Sequence, residues 1–93
     1  MNNIQIKVIY LLERKFENEI RDVQIISIKE EDTKTLTALR NCLKHWIKST
    51  CVGRGKATIK DIIVCGFKNE KLEKISSKIC GYEIKFNNYF WDV

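Results

Sequence analysis

ATIKDIIVCGF, residues 57 to 67, holds four consecutive apolar residues, Ile62, Ile63, Val64 and Cys65, in a run too short for a helix and rich in β-branched side chains. Such a run predicts a strand covered on both faces, and therefore central in a sheet. What flanks it decides the fold.

Upstream lies TLTALRNCLKHWIKST, residues 35 to 50. At about 100° per residue, Leu36, Leu39, Cys42, Leu43, Trp46 and Ile47 share one arc, and Lys34, Arg40, Lys44 and Lys48 fall on the other. The acidic cluster Glu30, Glu31, Asp32 precedes it, where a helix dipole favours negative charge. A helix is expected over 33 to 50, with Asp32 or Thr33 as its cap and Gly53 as its stop. Downstream, NEKLEKISSKICG predicts a short second helix with Asn69 as cap, Leu72, Ile75 and Ile79 facing inward and Gly81 ending it. Cys65 and Cys80 read as core positions.

Further out, NIQIKVIYLL, residues 3 to 12, alternates Ile4, Ile6, Val8 and Tyr10, the period of a half-buried strand. VQIISIK, residues 23 to 29, is again β-branched, and the charged stretch ERKFENEIRD, residues 13 to 22, reads as a long hairpin connection. YEIKFNNYFWDV, residues 82 to 93, alternates Tyr82, Ile84, Phe86 and Phe90 against polar neighbours and predicts a last strand. The order is β-β-α-β-α-β. It implies an α+β single domain over residues 1–93: a two-layer sandwich with a four-stranded mixed sheet and both helices on one face. The strand-helix-strand unit from 57 to 90 should then cross over right-handed.

Composition narrows function by exclusion. With 44% hydrophobic and 31% charged residues, the 93-residue chain is globular, and its size leaves room for a binding face but little for a deep pocket. The longest apolar stretch near the N-terminus, Val8 to Leu12, is neither a signal peptide nor a membrane span, so a cytoplasmic protein is expected. Cys42, Cys51, Cys65 and Cys80 match no disulfide or zinc spacing. His45 follows Cys42 by three residues, but the two point to different sides of the predicted helix. No metal site, cofactor or catalytic residue is assigned, and no enzyme activity is expected.

Charge distribution is the positive signal. The chain is +5, yet Thr33 to Lys60 contains seven basic residues and no acidic one, while the rest holds ten basic and twelve acidic. Arg40, Lys44 and Lys48 lie one turn apart on a helix edge, and Gly53-Arg54-Gly55-Lys56 reads as a loop that adds two charges and exposed backbone N–H groups. The expected contact set is Lys34, Arg40, Lys44, His45, Lys48, Arg54, Lys56 and Lys60, with Tyr89 and Trp91 as aromatic anchors. An ordinary solvated helix face competes with this reading, because Ile, Lys and Asn make up 34 residues and AT-rich coding inflates lysine. The function expected is a small non-enzymatic binding protein that contacts a polyanion, either nucleic acid or an acidic protein surface. The alternative is a phage or mobile-element inhibitor of a host nuclease or defence complex.

Overall fold

The computed structural model describes residues 3–66 and 69–88. In order come β1 Asn3–Arg14, β2 Ile20–Lys29, a 3₁₀ turn Glu30–Thr33, α1 Leu36–Thr50, β3 Gly53–Val64, α2 Glu70–Ile79 and β4 Glu83–Asn88. The sheet order is β2-β1-β3-β4, so the apolar strand β3 does sit centrally. All three pairings are antiparallel, which corrects the mixed sheet. Because β3 and β4 are antiparallel neighbours, α2 bridges them without the right-handed crossover that a parallel pair would need.

One sheet face carries the core. Ile6, Val8, Tyr10 and Leu12 of β1, Ile28 of β2, Ala57, Ile59 and Ile62 of β3 and Ile84 and Phe86 of β4 pack with Leu39, Leu43 and Ile47 of α1 and Leu72 and Ile79 of α2. Removing one such aliphatic side chain from water is worth roughly 1.5–3 kcal/mol, so the two amphipathic stripes suffice to hold both helices on this face. Trp46 packs against the core and meets Tyr10 edge-to-face, with ring centroids 5.5 Å apart.

Among the described residues, no helix covers the opposite face. The register places Ile9 beside Val23, and Lys7 between Ile25 and Ile63, all on that open side. Val23, Ile25 and Ile63 are 47%, 59% and 45% exposed. The expected two-sided cover of Ile62 to Cys65 is therefore absent: Ile62 is buried, Ile63 is not, and the consecutive run reflects an apolar patch on the open face.

Several boundaries move for identifiable reasons. Glu13 and Arg14 extend β1, and Ile20 to Asp22 begin β2, which leaves 15–19 as the hairpin connection. Charge did not mark a loop because these side chains have partners: Arg14 Nε donates to the Val52 carbonyl at 2.9 Å, and Asp22 accepts from the Tyr10 hydroxyl at 2.7 Å. At the first helix, Thr33 is buried and its hydroxyl donates to the Glu30 carbonyl, closing the 3₁₀ turn, so neither it nor Asp32 caps α1. Thr35 does, accepting from the Ala38 N–H at 3.1 Å. Thr35→Ala is expected to destabilise the fold by about 1 kcal/mol in urea melts, and Asp32→Ala by clearly less. Asn69 caps α2 as its sequence position predicts, accepting from the Leu72 N–H at 3.0 Å. All four cysteines are thiols; Cys51 is buried, Cys42 and Cys65 are half-buried, and Cys80, contrary to expectation, is exposed at the end of α2.

The Tyr10–Asp22 contact links the core to pH. Burial first, and then the hydrogen bond to Asp22, pushes the Tyr10 hydroxyl well above its ordinary value. That hydrogen bond in turn holds the Asp22 carboxyl below the usual carboxylate range. With a lowered folded pKa, Asp22 contributes stability in full above about pH 4 and loses it as pH falls through the folded value. Tyr10→Phe is expected to cost about 1–2 kcal/mol at pH 7, and the gap from wild type should shrink in acid. Urea denaturation at pH 7 and pH 3 measures both quantities.

Candidate functional site

At one end of the sheet, five basic side chains line a single open cleft of about 730 Å³. They come from separate elements: Lys15 from the β1–β2 turn, Lys48 from the last turn of α1, Arg54 and Lys56 from β3, and Lys85 from β4. Among the described residues, none of those lining the cleft is acidic. Phe86 supplies apolar floor, with the Arg14 guanidinium 5.8 Å from its ring centroid.

The ladder explains how these charges converge. Lys56 stands directly opposite Lys85 on β4 and opposite Glu13 on β1. Like charges facing each other across two strands destabilise a sheet, so the Lys56–Lys85 pairing runs against local stability. Glu83 relieves part of it through an ion pair to Lys56 at 2.7 Å. The hydrogen bond that the Lys56 ammonium donates to that carboxylate, and then the charge of Glu13, raises the Lys56 pKa. Among the described residues, Lys56 is the one member of the five in an ion pair.

Backbone contacts fix the rim. The Lys15 N–H donates to the Arg54 carbonyl at 3.4 Å, tying the hairpin turn to β3. Asn88 Nδ2 donates to the Lys48 carbonyl at 3.3 Å, tying β4 to the end of α1. Near the other end of the same helix, the Arg40 guanidinium lies 5.4 Å from the Tyr82 ring centroid, just before β4. Helix and strand thus run side by side in the same direction, and Arg40 and Lys44 form an exposed ridge that leads toward Lys48 and the cleft.

The Gly-Arg-Gly-Lys segment is strand, not loop. Gly53 to Lys56 pairs residue by residue with Asn88 to Lys85, so its backbone belongs to the ladder. Gly55 is there because nothing larger fits: a Cβ would collide with the Glu13 carbonyl oxygen and lie 3.0 Å from Phe86 Cζ.

Of the residues expected from sequence, Lys48, Arg54 and Lys56 meet in the cleft, and Arg40 and Lys44 flank it. Lys34 is exposed at the end of the 3₁₀ turn, His45 is exposed on α1, and Lys60 is exposed where β3 bulges against Ile9 and Tyr10; none of the three lines the cleft. Tyr89 and Trp91 lie outside the described residues. Lys15 and Lys85 were missed. Lys85 alternates outward on a strand, a legible signal of exposure, but only the β3–β4 pairing brings it to Lys56. Lys15 carries no such signal.

Other chemistry is sparse. Burial raises the Cys42 and Cys51 pKa values, in Cys42 aided by Asp32, which disfavours the reactive thiolate. No group of three or more His, Cys, Asp or Glu side chains is placed to hold a metal ion among the described residues. No described helix is long and apolar enough to cross a membrane. Comparison of the chain with protein-family models, with curated proteins and with solved structures finds no match.

Proposed function

We propose that this chain is a small non-enzymatic binding protein that holds a polyanion, a nucleic acid or an acidic protein surface, in the basic cleft. The observation that carries the reading is the convergence of five cations from four elements, with no acidic residue lining the cleft among those described. Phosphates placed among these side chains release condensed counterions, which gives affinity that falls with salt. The test is titration of the purified protein with labelled RNA, labelled DNA and polyglutamate at low and near-physiological salt. Retained binding to one of them supports the reading; absence of binding to all three removes it.

A second reading, an inhibitor from a phage or mobile element that docks on a host nuclease or defence protein, is favoured by a different observation. The open sheet face presents Val23 and Ile25 on β2, an edge strand, and Ile63 on β3. Exposed apolar patches and strand edges both favour association with another protein. Under this reading Ile25→Glu abolishes target binding, whereas reversal of the cleft charges does not.

A further inference from the structure

We propose that the ligand of the cleft is a single-stranded nucleic acid, one of whose bases stacks on Phe16. This rests on the polyanion reading and narrows it to one class of macromolecule. Phe16 is 95% exposed, the most exposed large apolar residue among those described. It also has φ +69°, a left-handed conformation that glycine and asparagine adopt easily and phenylalanine rarely. The ring therefore has no packing role in the described fold, and the backbone beneath it would be more stable with glycine.

Its location gives it a use. Lys15, the preceding residue, lines the cleft and places its ammonium 5.2 Å from the Phe16 ring centroid. The turn is held at both sides of Phe16, by the Lys15 N–H on the Arg54 carbonyl and by the Glu17 N–H on the Arg14 carbonyl at 3.1 Å. An exposed aromatic ring on a hydrogen-bonded turn thus stands next to Lys15, a side chain that lines the cationic cleft. Single strands are bound by this combination of a basic groove for the backbone and an aromatic platform for unpaired bases. A duplex offers the same phosphates but keeps its base faces stacked inside. An acidic peptide gives the charges a partner and leaves the ring without one.

The experiment is fluorescence anisotropy with a labelled oligothymidylate of about 15 nucleotides, the corresponding oligouridylate, a duplex of equal length and polyglutamate. Wild type is compared with Phe16→Ala, Phe16→Trp, Phe16→Gly and the cleft variant Lys48→Glu/Arg54→Glu/Lys85→Glu. Stacking predicts about a tenfold loss of single-strand affinity in Phe16→Ala, retention in Phe16→Trp and little change toward the duplex. Phe16→Gly should melt at a higher temperature than wild type and still bind the single strand as weakly as Phe16→Ala, which separates the role of the ring from that of the fold. If Phe16→Ala binds as wild type while the cleft variant loses binding, stacking is refuted and the polyanion reading stands. Preference for the duplex or for polyglutamate over both single strands refutes the inference in the same way, and binding to none of the four removes both.

Discussion

Reversing Lys48, Arg54 and Lys85 to glutamate together is expected to lower nucleic-acid affinity by at least about 100-fold near physiological salt, since each lost phosphate contact is worth roughly fivefold there. All three side chains are exposed, so the fold should survive. The variant has a second signature. Because the three changes fall on exposed side chains outside the ion pairs of the described residues, the protein should melt close to the wild-type temperature while binding collapses. Reversal of Lys71, Lys74 and Lys78 on α2 changes net charge equally and should leave most of the affinity. Equal loss from the two sets would mean that net charge, and not the cleft, attracts the ligand.

The second large effect is on the fold beneath the cleft. Gly55→Ala should destabilise the protein by roughly 3 kcal/mol, because the added methyl meets main chain that cannot rotate away, the Glu13 carbonyl, as well as the Phe86 ring. For a domain of this size the melting temperature should fall by about 15 °C. Gly66 is the control: φ there is +86°, yet a Cβ at that position meets no atom within 4 Å, so Gly66→Ala carries only the cost of the backbone conformation. Similar losses at Gly55 and Gly66 would mean that the close β1–β3–β4 approach does not set the geometry of the cleft. Calorimetry of the two variants decides between the alternatives.

These two results bear on what a single sequence encodes openly. Element order and type were legible because the periods are strong: Leu39, Leu43 and Ile47 repeat as a helix, and Ile6, Val8 and Tyr10 as a strand. Boundaries were less legible where tertiary partners intervene. Arg14 looks like loop charge until Val52 and Phe86 lie beneath it, and Thr33 looks like a cap until its hydroxyl closes the 3₁₀ turn. Strand order and direction have no local signature, so the antiparallel β3–β4 pair could not be read from residues 57 to 90.

The candidate site divides along the same line. The charge asymmetry between residues 33 and 60 pointed to Lys48, Arg54 and Lys56, whose positions in the chain are close. It also drew in Lys34, His45 and Lys60, which share the segment but not the cleft. Lys15 and Lys85 come from turns and strands far away in sequence, and only register brings them together. Phe16 has no signal in the charged connection of residues 13 to 22, because neither its exposure nor its left-handed backbone is visible in a string of letters.

The most direct test of the central claim is the dependence of single-strand affinity on salt, measured for wild type and for the Lys48/Arg54/Lys85 charge-reversal variant. Four or five phosphate contacts predict that log K falls with log salt at a slope of about −3, and loss of three contacts should flatten it by about 2. A slope near zero, or the same slope in both proteins, would contradict the assignment of the cleft as the polyanion site.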